Sequence, residues 1–198
     1  MAEATAGAIA PDELLVDRAR AGDRPALEEL FRRHSGVAFR VAVRLLGQEH
    51  DARDAVQDAM IKVMTHLDAF DGRSGFRTWL LRVVTNAALD SGRRRRRRPI
   101  TGLGRGDEGD GGDPGLPEPS CDDDPTLGLR RRDLDATLRA ALDRISPANR
   151  EAFVLSAEAG CSYKEIAAIQ GIPIGTVMSR INQARKKLQA QLEGVEGL

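Results

Sequence analysis

The sequence predicts an all-α protein made of two small helical domains joined by a disordered acidic linker. Apolar residues recur at helical spacing through residues 11–98 and again through residues 130–192, as in amphipathic helices packed into bundles. Aromatic residues make up 4% of the chain, which suits a helical protein rich in Ala, Leu and Arg. The segment 99–129 is rich in Gly, Pro and Asp and nearly free of large apolar side chains. It therefore cannot bury enough surface to offset the entropy of ordering it.

The N-terminal domain is predicted to begin with two helices. The first covers residues 11–20, and its apolar side is formed by Leu14, Leu15 and Ala19. Asp23 can cap the second helix, whose apolar spacing continues to the stop at Gly47. Because Ser35 and Gly36 are weak helix formers, we expect a break in this helix at that point.

Two further helices complete the predicted N-terminal domain. The third opens at Asp51 and Asp54 and continues to Leu67. A loop of turn-forming residues spans 71–75, and the fourth helix starts near Phe76 and runs into an unbroken arginine run at 93–98.

The C-terminal domain is predicted to contain four helices. The first resumes near Arg130 and carries one apolar stripe, formed by Leu134, Leu138, Leu142 and Ile145. Ser146 and Pro147 break it, and the second helix follows at once. The last two helices form the motif around which the rest of the chain is organised, and it is described next.

A helix-turn-helix is predicted over residues 162–188. Ser162 and Glu165 form a capping box, in which the hydroxyl accepts from the third helical amide and the carboxylate accepts from the Ser amide. Gly171 suits the left-handed residue that ends a helix, and Pro173 forces the residue before it into an extended conformation. The chain therefore turns sharply between two helices.

The second helix of this motif has one apolar face and one polar face. The apolar face is Val177, Ile181, Ala184 and Leu188; the opposite side carries Ser179, Asn182, Gln183 and Lys186, flanked by Met178, Arg180, Arg185 and Lys187. Such a helix can enter a DNA major groove, where amides and hydroxyls meet base edges and cationic groups meet phosphates. A surface helical hairpin with a solvated charged face would give the same pattern.

Composition and spacing argue against several other classes of protein. Formal net charge is zero, although the arginine run is followed by a strongly acidic stretch, so local field rather than net charge decides what each surface attracts. Cys121 and Cys161 have no metal-ligand spacing and are too few for a disulfide framework, which predicts reduced thiols in a cytosol. We see no signal peptide and no apolar run long enough to cross a membrane, so we expect a cytoplasmic protein.

Catalytic chemistry is not indicated by any motif in the sequence. There is no nucleophile–base pattern, no metal-ligand cluster and no phosphate-binding glycine loop, so we expect neither enzymatic activity nor a cofactor. The three histidines, His34, His50 and His66, have no partner pattern and are expected at the surface.

Both domains resemble the sigma-70 family of RNA polymerase sigma factors. Residues 26–96 resemble the family's promoter-melting domain, and residues 146–188 resemble its C-terminal domain, which reads the −35 promoter element. The short form without extra domains is similar to the extracytoplasmic-function (group IV) type. The resemblance covers nearly the whole chain outside the N-terminal tail and the linker, and the two motif sets occur in the family's order.

The resemblance implies binding to core RNA polymerase, to promoter DNA as −35 duplex and −10 single strand, and, as is common in the family, to an anti-sigma factor. The implied −35 residues are Thr176, Met178, Ser179, Arg180, Asn182, Gln183, Arg185 and Lys186. The implied −10 residues are Arg73, Ser74, Phe76, Trp79, Arg82, Asn86, Arg93 and Arg94. The implied polymerase-binding residues are Asp54, Gln57 and Asp58. Phe76 and Trp79 share the buried face of their helix, so we expect both to serve mainly as core.

The chain departs from the family on its last predicted helix. Many members carry basic or bulky residues where this chain has Met178, Asn182 and Gln183, which puts its −35 preference in doubt. The alternative function is a stand-alone helix-turn-helix regulator that binds duplex DNA as a dimer. That function would call for a dimerisation helix, and it would leave the N-terminal bundle without a role.

Overall fold

The computed structural model describes residues 10–97 and 125–193, and in these ranges it contains eight α-helices and no strand. The helices are α1 (Asp12–Arg20), α2 (Arg24–Leu46), α3 (Glu49–Thr65), α4 (Phe76–Arg97), α5 (Pro125–Asp143), α6 (Pro147–Ala157), α7 (Tyr163–Gln170) and α8 (Ile174–Leu192). A single turn of 3-10 helix, Leu67–Ala69, follows α3. The predicted all-α class is confirmed.

Helix α2 is continuous, so the break expected at Ser35 and Gly36 is wrong. Asp23 caps the helix as predicted, because its Oδ1 accepts from the amide of Ala26 at 3.3 Å, and Gly47 ends it at φ 76°. A glycine inside a helix costs only about 1 kcal/mol relative to alanine. The fully buried side chains of the following turns outweigh that cost.

Two other helices begin earlier than the sequence predicted. Helix α3 begins at Glu49, two residues before Asp51. Helix α5 begins at Pro125, inside the segment 99–129 that was assigned to the linker. Proline is tolerated in the first turn of a helix, where its missing N–H would have no helical partner. The remainder of the predicted linker, residues 99–124, lies outside the described residues.

Two predicted core leucines are exposed, which corrects the sequence assignment. In α1, Leu15 and Val16 are buried while Leu14 is 49% exposed. Along the stripe predicted for α5, Leu142 and Ile145, which lies just beyond the end of the helix, are buried, but Leu134 is 48% exposed. Three consecutive apolar residues in a nine-residue helix cannot all face the core, and periodicity alone does not choose among them.

An aromatic cluster lies under the start of α4. Phe76 is fully packed between Phe70, Trp79 and His34, with ring centroids 5.6–6.1 Å apart. His34 is 9% exposed and its Nε2 lies 2.6 Å from a carboxylate oxygen of Asp12, so its expected surface position is wrong. The cluster fixes the N-terminus of α4 against α1 and α2.

The two domains pack against each other in the structure. Helices α2 and α4 contact α6 and α7, and the buried Val154, Leu155 and Cys161 belong to the same core as the N-terminal bundle. A smaller core within the C-terminal domain joins Leu142 and Ile145 to the apolar face of α8. The chain is therefore closed, with α7 lying between α4 and α8.

Candidate nucleic-acid interface

The predicted helix-turn-helix is present as α7, a turn and α8. The Ser162 hydroxyl accepts from the amide of Glu165 at 3.3 Å, and the Glu165 carboxylate accepts from the amide of Ser162 at 2.8 Å. Gly171 ends α7 at φ 66°, and Pro173 precedes α8 in an extended conformation. Local sequence therefore determines this motif, and the capping box and the left-handed Gly171 are confirmed.

Helix α8 separates its two faces as predicted. Val177, Ile181 and Ala184 are completely buried, and Leu188 is 6% exposed. The opposite side of α8 is exposed over Thr176, Met178, Ser179, Asn182, Gln183, Arg185 and Lys186, whereas Arg180 is half-buried. The helix is thus held by its apolar face and presents amide, hydroxyl and cationic groups outward.

Hydrogen bonds from α6 and α7 brace two of these side chains. Asn149, which is 9% exposed, donates from Nδ2 to Oε1 of Gln183 at 2.9 Å, and Gln183 in turn donates to the hydroxyl of Ser179 at 3.4 Å. The guanidinium of Arg180 donates to Oε1 of Gln170 at 3.0 Å. Asn149 and Gln170 are functional candidates that sequence reasoning missed, because nothing in their local pattern shows which helix they face.

A buried carboxylate lies next to these hydrogen-bonded side chains. Glu151 is 8% exposed, and burial raises its pKa, opposed by a hydrogen bond from Gln170 and by the charges of Arg180 and Arg93. Gln170 also donates to the carbonyl of Ala148 at 3.3 Å. The network ties the first turn of α6 to α7 and α8, so the orientation of the exposed face depends on three helices.

The N-terminal candidate surface lies along α4. Arg82, Asn86, Arg93 and Arg94 are exposed, and Arg93 pairs with Asp90 at 3.3 Å. Trp79 is half-buried, but Phe76 is only 2% exposed. Phe76 therefore serves as core, as its position on the buried face indicated, and cannot stack on a base in this conformation.

The loop before α4 is held mainly by contacts between its own residues. The amide of Arg73 donates to Oδ1 of Asp71 at 3.1 Å, and the Arg73 guanidinium pairs with the same carboxylate at 3.0 Å. Gly72 takes φ 70°, a conformation that side chains rarely adopt. The loop borders a pocket whose other wall is α1, with Phe70 at its edge and Arg20 donating to the carbonyl of Phe70.

The candidate polymerase-binding residues share one exposed face of α3. Asp54, Gln57 and Asp58 are all exposed, and His50 lies 3.6 Å from the Asp54 carboxylate. Two apolar side chains continue the same face, Ile61 at 52% and Met64 at 54% exposure. Sequence reasoning missed this pair, although Ile61 lies three and seven positions beyond Asp58 and Asp54, and Met64 lies seven positions beyond Gln57.

Neither a metal site nor a membrane span is found in the part of the chain that the structure describes. Over residues 10–97 and 125–193, His, Cys, Asp and Glu form no group of three or more able to hold a metal ion. The helices in these ranges are too short or too polar to cross a bilayer.

Comparison with known proteins matches both domains. Residues 30–98 match the family profile Sigma-70 region 2, and residues 135–188 match Sigma-70, region 4, so that together they cover more than half of the chain. The chain belongs to the sigma-70 family and is of the extracytoplasmic-function type. The candidate −10 and polymerase-binding residues of this sigma factor fall in region 2, and its candidate −35 residues fall in region 4.

Relatives and solved structures agree with this assignment. The chain is 38% identical over 173 residues to the ECF RNA polymerase sigma factor SigE of Mycolicibacterium smegmatis, covering 85% of this chain and 62% of SigE. The structure is similar to that of CnrH in complex with the cytosolic domain of CnrY, with TM-score 0.69, 28% identity, and 92% and 97% of the two chains covered. It is also similar to the sigma factor RpoE from Bartonella quintana in complex with the anti-sigma factor NepR, with TM-score 0.63, 26% identity, and 84% and 96% covered.

Proposed function

We propose that this sigma factor binds core RNA polymerase and directs it to promoters, with the C-terminal domain reading the −35 element and the N-terminal domain acting on the −10 element. The observation that carries the proposal is the exposed polar face of α8 opposite a completely buried apolar face. A helix supported in this way can enter a major groove without unfolding its own domain.

The −35 readout is assigned to the middle of α8. Gln183 keeps one amide N–H and one oxygen lone pair free after its contacts with Asn149 and Ser179, so it can still contact a base edge. Asn182 is exposed beside it. Arg185 and Lys186 are exposed cations suited to phosphates, which fix register without specifying sequence. The proposed −35 set is Thr176, Met178, Ser179, Arg180, Asn182, Gln183, Arg185 and Lys186.

The −10 function is assigned to the loop 71–75 and the exposed side of α4. The pocket between this loop and α1 can accept a base that leaves the stack, and unstacking costs a few kcal/mol that such a pocket must offset. Asn86 can meet a base edge, while Arg82, Arg93 and Arg94 can meet phosphates. Arg73, Ser74 and Trp79 complete the proposed set; Phe76 supports it from the core.

Polymerase binding is assigned to the exposed face of α3. Asp54, Gln57 and Asp58 supply hydrogen-bond acceptors and charge, and Ile61 and Met64 supply apolar area beside them. A small apolar centre within a polar rim is the usual composition of a protein–protein interface.

The remaining partners follow from the same proposal. An anti-sigma factor is a proposed partner because RpoE, a similar structure, was solved in complex with the anti-sigma factor NepR. We place the protein in the cytoplasm, where polymerase is found. In this proposal the chain needs neither catalytic activity nor a cofactor, since it supplies binding energy to a reaction that polymerase carries out.

Run-off transcription tests the proposal directly. Core RNA polymerase with this chain should produce discrete transcripts from genomic fragments that core polymerase alone does not produce. Specific nanomolar binding to duplex DNA without polymerase, together with no transcript, would instead support the stand-alone regulator.

A matched pair of variants assigns the polymerase surface. Asp54→Lys combined with Asp58→Lys should reduce co-purification with core polymerase at least tenfold, because two acids of the proposed interface change sign. Glu28→Lys changes an exposed acid on α2 and should leave co-purification unchanged. Equal loss in both variants would mean that overall charge, and not the α3 face, governs binding.

A further inference from the structure

Two large apolar side chains lie exposed in the first two turns of α8. Ile174 is 47% exposed and Met178 is 49% exposed, and they lie four residues apart on the same side of the helix. We propose that this apolar pair reads the C5-methyl groups of thymines in the major groove of the −35 duplex. The inference rests on the proposed function and deepens it, because it adds Ile174 to the −35 residues and gives Met178 a chemical role.

Packing within the chain does not use this apolar pair. Val177 and Ile181 are completely buried, so α8 is anchored to its own domain by other side chains. Apolar surface is more stable when it is removed from water, and adjacent large apolar side chains left exposed are typical of a contact surface. The pair is therefore available to a molecule that approaches α8 from outside.

Gly175 leaves room for such an approach beside the pair. A Cβ at this position would meet nothing within 4 Å among the described residues, apart from its chain neighbours and the backbone of its own helix. Its φ also lies outside the left-handed region that favours glycine. Glycine is less stable than alanine inside a helix, and nothing in the described chain calls for it here. The missing side chain instead allows another molecule to come close to the backbone of α8.

The pair continues into a polar side chain that suits the same kind of base pair. Ile174, Met178 and Asn182 follow one another at intervals of four residues, so they span only about 80° around the helix. Asn182 is exposed, and an asparagine amide suits bidentate contact with adenine. An apolar side chain suits the methyl group of thymine, which is the partner of adenine in the pair. This line of α8 is therefore matched to A·T pairs.

The opposite flank of α8 does not compete for this approach. Arg180 and Gln183 are hydrogen-bonded to residues of α7 and α6, so those two helices lie beside that flank. The line through Met178 lies on the other side of the exposed face, next to the exposed cation Arg185. A cation beside an apolar patch fits a DNA groove, where phosphates border the base edges.

The chemistry of the two side chains restricts what they can recognise. A methionine thioether is at most a weak acceptor and isoleucine has no polar atom, so neither can read the donors and acceptors of a base. The two residues are ~6 Å apart along the helix axis, and base pairs are ~3.4 Å apart, so each side chain contacts its own methyl group. Burial of one methyl group should favour thymine about fourfold over the same base without it.

Uracil substitution isolates the methyl group in the complete initiation complex. Core RNA polymerase is reconstituted with the full-length chain and a promoter selected by run-off transcription. Each thymine of the −35 duplex is then replaced singly by deoxyuridine, which removes the C5-methyl and leaves base pairing unchanged. The apparent Kd for the uracil promoter divided by that for the thymine promoter should be about four at one or two −35 positions. Thymines between the two promoter elements should give a ratio of one.

Two variants assign the effect to the apolar pair. Met178→Ala should reduce the ratio to one at a single position, and Ile174→Ala should do so at a thymine one or two base pairs away. Both side chains are about half exposed and alanine is a strong helix former, so neither variant should unfold the domain. Leu134→Ala truncates an equally exposed side chain on α5 and is the matched control, in which the fourfold ratio should remain.

The thymine-to-uracil ratio separates methyl readout from other uses of the same surface. If both variants weaken binding to thymine and uracil promoters equally, the pair contacts a protein or supports the fold, and the proposal is wrong. A ratio of one at every −35 thymine in the parent chain, a −35 element without an A·T pair, or a fourfold ratio that survives in both variants would also overturn it. Specific transcription without a uracil effect removes this inference alone, whereas the absence of any specific transcript removes the proposed function as well.

Discussion

The exposed polar face of α8 and the loop 71–75 before α4 differ in what holds their side chains in place. On α8, Gln183 and Arg180 are hydrogen-bonded to residues of α6 and α7, and the helix is anchored by four buried apolar residues. In the loop, Asp71 contacts Arg73 two positions away, and the pocket beside it is bordered by a different helix. One surface is fixed by tertiary contacts and the other by local ones.

The difference suits the two forms of DNA that the proposed function assigns to these surfaces. Duplex DNA presents base edges at fixed positions, so a braced side chain loses little entropy on reading them. A separated strand has no fixed geometry, so a surface that captures it must accept a base arriving from several directions. The loop is held only by local contacts of this kind, whereas the aromatic side chains of Phe70 and Phe76 beside it are packed in the core.

The largest expected effect tests the aromatic cluster around Phe76. Phe76→Ala should destabilise the protein by about 3–5 kcal/mol, as is usual when a buried aromatic side chain is truncated. Urea denaturation of the full chain measures the change. Arg82→Ala, on the exposed side of the same helix, is the control and should change stability by no more than about 0.5 kcal/mol. Wild-type stability in Phe76→Ala combined with slow promoter melting would make Phe76 a stacking residue instead.

The next effect tests the division between the two surfaces. Gln183→Ala should relax preference at one −35 position by about 1–3 kcal/mol and leave melting of bound promoter nearly intact. Asn86→Ala should leave −35 preference unchanged and slow open-complex formation. Permanganate footprinting of the −10 region, run beside a −35 base-substitution series, measures both. If Gln183→Ala blocks melting and Asn86→Ala alters −35 preference, the two roles are assigned the wrong way round.

A smaller effect sharpens the idea that α8 is braced. Asn149→Ala removes one hydrogen bond to Gln183, and Asn149 itself is not among the residues proposed to contact DNA. Such hydrogen bonds contribute about 0.5–1.5 kcal/mol. The loss should appear at the same −35 position as the loss in Gln183→Ala, and the double variant should be no worse than Gln183→Ala alone. Additive losses in that double-mutant cycle would show that Asn149 acts independently of Gln183.

The smallest effects concern two carboxylates with opposite pH dependence. Hydrogen bonds from the side chain and amide of Ser162 lower the pKa of Glu165 below 4.5, so its contribution to stability is present above pH 4.5 and lost as pH falls through the folded-state pKa. Burial raises the pKa of Glu151, so its contribution is complete below pH 4.5 and lost as pH rises.

Urea denaturation between pH 3 and pH 7 separates these two groups. Glu165→Gln should destabilise the chain at pH 7 and approach the parent at pH 3. Glu151→Gln should stabilise it at pH 7 and converge with the parent at pH 3, because the neutral amide removes a buried charge. The same sign for both variants at pH 7 would mean that burial does not dominate at Glu151.

Sequence reasoning succeeded where the determining contacts are local. The capping box of Ser162 and Glu165 and the left-handed Gly171 involve residues within one turn, and all are confirmed. It failed where the contact partner is distant: Asn149 and Gln183 are 34 positions apart, and Arg44 and Glu158 are 114 apart. Helical periodicity shows which side of a helix is apolar but not which helix covers it, so the bracing of α8 and the closed packing of the domains were not predictable.

The two carboxylate oxygens of Glu165 serve different purposes, and this constrains which mutations the position can accept. One oxygen holds the start of α7 and the other accepts from Thr78 of the opposite domain. A mutation at this position changes the integrity of the helix-turn-helix and its contact with the N-terminal domain together, so selection cannot adjust them separately there.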